Sequence, residues 1–140
     1  MYRRILVAVE NSSADRTILN HVSQLAKVTA AELVLVHVAD GFAARHFDDL
    51  KLRESEEIKS DRAYLEQLQG ELAAQGLQVG IKLAMGDPAT ELIRAVDEQS
   101  VDLIAMSTHG HRFLNDLIRG ATADKVRHLV KVPVLLLRAQ

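Results

Sequence analysis

Apolar residues along the chain fall into short unbroken runs, separated by stretches in which they recur every third or fourth position. Ile5-Leu6-Val7-Ala8-Val9 is such a run, too short for a helix and closed by Asn11-Ser12-Ser13. It reads as a strand buried on both faces of a parallel sheet. Ile18, Val22 and Leu25 follow at helical spacing, and Ser12 with Asp15 three residues later predicts a capping-box-like start with Ser12 as cap. Leu33–Val38 predicts a second strand, interrupted by His37. Residues 39–56 show no clear period, and Gly41-Phe42 opens a loop. From about Lys51 a long helix is expected, with Ile58, Leu65, Leu68 and Leu72 on one face, charge on the other and Gly76 as its stop. Gln78–Ala84 is a β-rich third strand. In Gly86-Asp87-Pro88, Asp87 can cap a helix and Pro88 suits its first position. That helix buries Leu92, Ile93 and Val96 and ends near Gln99. Val101–Met106 predicts a fourth strand, Ser107–Gly120 a loop, Thr122–Val130 a helix and Pro133–Leu137 a fifth strand.

Strands that alternate with helices across connections too long for hairpins predict an α/β fold, a doubly wound parallel sheet with helices on both faces. The 140 residues make one domain. Composition changes the picture in three places. Lys and Arg number 17 against 19 Asp and Glu, a formal charge of −2, which argues against a nucleic-acid partner. The absence of Cys rules out disulfides, thiol catalysis and thiolate metal sites. No apolar run approaches the roughly 18 residues of a membrane span. Met1-Tyr2-Arg3-Arg4 carries no signal-peptide pattern, so no membrane partner and a cytoplasmic location are expected.

Ligands of open parallel sheets sit beyond the carboxyl ends of the strands, where the winding reverses. Two segments qualify: Glu10-Asn11-Ser12-Ser13 after the first strand, and Ser107-Thr108-His109-Gly110-His111-Arg112 after the fourth. Gly110 permits close backbone approach to a ligand. Gly120 stands just before the expected last helix, whose first N–H groups and dipole would favour phosphate. The segment is thus a candidate phosphate cradle; its glycines read equally as turn glycines, with His111 and Arg112 solvated.

The stretch Ser107-Thr108-His109-Gly110, nine residues, then Gly120-Ala121-Thr122 resembles the nucleotide loop of the universal stress protein family. That family's pattern is Gly, two residues, Gly, nine residues, Gly, then Ser or Thr. Arg4–Glu10, Leu35–Val38, Gly86-Asp87-Pro88, Val101–Met106 and Val132–Leu137 also resemble the family's strands and third-helix start. The resemblance implies a five-stranded sheet of order 3-2-1-4-5 that binds ATP, with Mg²⁺ held through the phosphates. It implies that Ala8 and Val9 flank the nucleotide, that Glu10 lies near ribose and metal, and that the Val38 backbone bonds adenine. Met106, Ser107, Thr108, His109 and Gly110 would line ribose and phosphates, and Gly120, Ala121 and Thr122 would offer amides to the phosphates. Three positions depart from the pattern: Ser107 for the first Gly, Ala121 for the hydroxyl residue and Glu10 for the usual Asp. Thr122 could supply the hydroxyl that Ala121 lacks.

Other candidates have plainer readings. His37 is expected to be a packed, hydrogen-bonded core residue, and His109 to orient backbone. His109 and His111 have no carboxylate partner in sequence that would make a metal site. Ser12 is a helix cap, and Arg53–Arg62 a solvated helix face. An acidic pair after the first strand, which a phosphoacceptor domain needs, is missing. No nucleophile or base stands out, so no catalytic residue is assigned. The expected function is that of a regulatory protein of the stress response that holds adenine nucleotide. The alternatives are a dimeric interaction scaffold that binds no ATP and a slow ATPase. An edge strand as apolar as Val134-Leu135-Leu136-Leu137 predicts a homodimer through it; no further protein partner is indicated. Gly41–Lys51 is expected to be the most mobile segment.

Overall fold

The computed structural model describes residues 1–40, 47–108 and 116–140. Strand β1 spans Arg4–Ala8 and helix α1 Ala14–Thr29; strand β2 spans Glu32–Asp40 and helix α2 Phe47–Ala73. Strand β3 spans Val79–Gly86 and helix α3 Pro88–Glu98; strand β4 spans Leu103–Thr108, helix α4 Asp116–Leu129 and strand β5 Val134–Arg138. The five strands pair in parallel in the order β3-β2-β1-β4-β5, as the resemblance implied. The winding reverses between β1 and β4, so the crevice of this sheet opens there.

Successive strand residues point to opposite faces, and each face buries its own core. Ile5, Val7 and Val9 meet Ile18 and Val22 of α1 and Leu65 and Leu68 of α2. Leu6, Val36, Ile104 and Met106 meet Leu92 and Val96 of α3 and Val126 of α4. Full burial of one such side chain contributes about 1.5–3 kcal/mol. Both faces are covered, which is why the strands read as continuous apolar runs.

Three helices end in the same way. Past α2, Gly76 at φ +88 donates from its N–H to the Ala73 carbonyl, and Leu77 donates to the Leu72 carbonyl. That is a Schellman turn with Gly76 in the left-handed position. Ala30 after α1 and Ser100 after α3 take the same conformation, with Ala31 and Val101 bonded back to Ala26 and Val96. The residue after each turn, Ala31, Leu77 or Val101, is buried and leads the chain into the next strand. The start of α3 matches the sequence: Pro88 opens it and the Asp87 carboxylate accepts from the Thr90 N–H.

Three expectations need correction. The β4 strand runs through Ser107 and Thr108, which were expected in a loop. Helix α4 begins at Asp116 rather than Thr122. Leu117, Ile118, Arg119, Ala121 and Ala123 are good or adequate helix formers, and an acidic first residue suits the dipole; together they carry Gly120 at its cost of about 1 kcal/mol. Helix α2 begins at Phe47, ahead of Lys51. Of the segment expected to be mobile, residues 41–46 lie outside the described residues.

Candidate functional site

Beyond the carboxyl ends of β1, β2 and β4, on the face that carries α3 and α4, opens a cavity of about 330 Å³. Its apolar wall is Val36 and Val38 of β2, Pro88 and Leu92 of α3, and Met106 of β4. Ala8, Val9, Glu10, His37, Ser107 and Thr122 complete the lining. Of the residues assigned by resemblance, Ala8, Val9, Glu10, Val38, Met106, Ser107 and Thr122 therefore meet at one place. Thr108, Gly120 and Ala121 are not in the lining, and His109 and Gly110 lie outside the described residues.

The departures from the pattern take on specific geometry. Among the described non-glycine residues, positive φ occurs at Asn11, Ala30 and Ser100. Ser107 instead pairs with Leu137 in the β4–β5 ladder, in backbone that tolerates a side chain. Its hydroxyl donates to the Ala14 carbonyl at 3.3 Å, on the α1 side of the sheet. Ala121 is exposed, whereas Thr122 is half-buried and faces the cavity. Gly120 is one turn inside α4, so the amides of Gly120, Ala121 and Thr122 belong to the helix ladder.

The turn after β1 is organised by Asp15, which is 1% exposed. Its carboxylate accepts from the backbone N–H of Glu10 (2.8 Å), Asn11 (2.8 Å) and Ser12 (3.3 Å), and from the Tyr64 hydroxyl of α2 (2.6 Å). Asn11, at φ +63, is one of the few residue types that take this conformation at low cost. Successive amides of this kind form an anion-binding concavity. In dinucleotide-binding folds the first βα turn receives pyrophosphate; here the chain's own carboxylate fills it. The expected Ser12 cap is present, in a capping box with Asp15. Ser13 precedes α1 without a side-chain cap bond, while Ser12 accepts from the Ala14 N–H at 3.3 Å and donates to Glu10 Oε2 at 3.2 Å. Burial first, and then the Asp15 carboxylate, push the Tyr64 phenol well above its ordinary value.

His37 is packed and hydrogen-bonded, as expected. Its Nδ1 donates to the Val9 carbonyl at 2.9 Å, and its Nε2 lies 3.2 Å from Asp61 Oδ2 of α2. The other Asp61 oxygen accepts from Asn11 Nδ2 at 3.1 Å. Asp61 is 6% exposed, so the Arg53–Arg62 run is not a uniformly solvated face. Sequence reading missed Asp61 and Tyr64. The signal was present: Asp61 falls in the same three-four spacing as Ile58, Leu65, Leu68 and Leu72.

Comparison with known proteins places this geometry in context. The model of the universal stress protein family matches residues 1–138. The universal stress protein YxiE of Bacillus subtilis is 29% identical over 150 residues, covering 99% of this chain and 100% of YxiE. The structure of MJ0577, a universal stress protein of Methanocaldococcus jannaschii, superimposes with a TM-score of 0.80 at 28% identity, covering 100% of this chain and 98% of that one. Two more distant structures share the fold. A universal stress protein in complex with cAMP has a TM-score of 0.72 at 18% identity, with 99% and 98% of the two chains covered. A universal stress protein of Archaeoglobus fulgidus in complex with dAMP has a TM-score of 0.71 at 20% identity, with 96% and 97% covered.

Proposed function

The chain belongs to the universal stress protein family, and on that premise we propose that it is a cytoplasmic regulatory protein of the stress response that binds ATP, with Mg²⁺ through the phosphates. The observation that carries this reading is the convergence of Ala8, Val9, Glu10, Val38, Met106, Ser107 and Thr122 on one cavity at the reversal of the winding. The residues fit the ligand's chemistry. Val36, Val38, Pro88, Leu92 and Met106 make an apolar slot for a planar base, and the Val38 backbone is the hydrogen-bonding edge for adenine. The Glu10 carboxylate suits ribose hydroxyls, and the Thr122 hydroxyl suits a phosphate. Mg²⁺ favours one or two carboxylates plus phosphate oxygens, and Glu10 is the carboxylate at hand. With the first βα turn filled by Asp15, the phosphates run toward the β4–α4 connection, where the resemblance puts His109 and Gly110.

Strand β5 ends the sheet with Leu136 37% exposed and one edge unpaired among the described residues. That edge supports a homodimer, which light scattering at micromolar concentration reads. The second reading, an interaction scaffold that binds no ATP, draws on the commitment of the Gly120–Thr122 amides to the α4 ladder. Calorimetric titration with Mg·ATP separates the two. Micromolar binding is the expected result, and a flat titration at millimolar ligand leaves the scaffold.

A further inference from the structure

On the far side of the sheet from the cavity, three side chains from three elements converge on the end of β1. The Val9 carbonyl, which has left the β1–β2 ladder, accepts from His37 Nδ1. Asp61 accepts from Asn11 Nδ2 through one oxygen and faces His37 Nε2 with the other. A carbonyl only accepts hydrogen bonds, so Nδ1 is the ring's donor to Val9 and Nε2 is the atom turned to Asp61. Val9 and Asn11 flank Glu10, and Glu10 lines the cavity. Asp61 lies on α2, none of whose described residues lines the cavity.

We infer that His37, Asp61 and Asn11 form a brace that fixes the turn bearing Glu10 against the cavity, and so make helix α2 a working part of the nucleotide site. All three are positioning residues: they hold Val9 and Asn11, and through them Glu10, without touching ligand through their own side chains. The role in binding rests on the nucleotide reading above; the role in fixing the turn does not.

Two measurements on the intact protein test the brace: hydrogen exchange at the Glu10 and Asn11 amides without ligand, and Mg·ATP affinity by calorimetry. Asp61→Leu leaves His37 Nε2 and Asn11 Nδ2 without their acceptor. Exchange at both amides is expected to rise at least tenfold and affinity to fall at least tenfold. Asp61→Asn keeps both contacts, because its oxygen accepts from Asn11 and its amide donates to a neutral ring. It is expected to restore exchange and affinity to within about threefold of wild type. Leu72→Val, a loss of core packing lower on α2, is expected to change neither by more than twofold. Wild-type exchange and affinity in a folded Asp61→Leu overturn the inference. So does an Asp61→Asn protein as impaired as Asp61→Leu, or, if Asp61→Leu does not fold, an Asp61→Asn protein impaired tenfold in either measurement. If wild type binds no nucleotide, the functional reading fails by itself, and exchange at Glu10 and Asn11 still decides whether the brace exists.

Discussion

The two faces of the sheet meet the ends of the same strands and do opposite things there. On the α1–α2 face the space past β1 is packed with buried polar groups, each paired: Asp15 with three amides and Tyr64, and Asp61 with Asn11 and His37. On the α3–α4 face the same depth is a cavity walled by Val36, Val38, Pro88, Leu92 and Met106. The period-two alternation of a strand produces this split, because neighbouring residues serve different faces. Ser107 donates its hydroxyl to α1, while Met106 before it packs with the α3–α4 core. The α1–α2 side is therefore filled, and the α3–α4 side is left open.

The strongest way to break this division is Asp15→Ala. It strands three backbone donors and the Tyr64 hydroxyl, and each buried donor left unpaired costs about 1–3 kcal/mol. Partial hydration of the turn offsets some of this, and a loss of about 4 kcal/mol in urea unfolding is expected. A loss below about 1 kcal/mol contradicts the division. Tyr64→Phe is the milder cut. It removes one hydrogen bond to a carboxylate, about 1.5 kcal/mol, and it changes the pH profile. The folded phenol stays protonated where the unfolded one ionises, near pH 10. The stability it confers is thus intact below about pH 10 and declines as pH rises above it. Tyr64→Phe should remove that alkaline slope, as urea midpoints between neutral pH and pH 11 would read. The smallest stability effect belongs to the open face. Thr122→Ala should leave unfolding within about 0.5 kcal/mol and weaken Mg·ATP binding roughly tenfold, as loss of a hydrogen bond to a charged group does. A stability loss matching that of Asp15→Ala would erase the contrast between the faces.

How far the chain discloses itself follows the same line. The strands were legible because burial on both faces leaves unbroken apolar runs, and Asp87-Pro88 because capping chemistry is local. Strand order is not local, and it entered through the resemblance, as did Ala8, Val9, Val38, Met106 and Thr122 of the cavity, whereas Glu10 and Ser107 also stood at strand ends where the winding rule looks for ligands. The start of α4 was misplaced because Gly120 reads as punctuation, while its neighbours outweigh it. The brace was hidden because a charged residue amid Glu56, Glu57, Lys59 and Arg62 looks solvated until its place in the apolar stripe is counted. Asp15 was singled out, with its role half understood: it does reach back to the Ser12 N–H, and to two further amides as well.

The contacts that tie the Glu10 turn to α2 also set an order of events during folding. Tyr64 reaches Asp15 across 49 positions of chain, and Asp61 reaches Asn11 across 50. Such closures come after local helices and the first strand pairings, because the loop entropy must be met before the contact returns anything. The β1–β2 pair can therefore form with the turn still loose, and the pocket rim sets only when α2 docks. If α2 docks after the rate-limiting barrier, substitutions at Asp61 or Tyr64 speed unfolding and leave the folding rate nearly untouched. The turn that bears Glu10 is thus expected to set after the β1–β2 pair has formed.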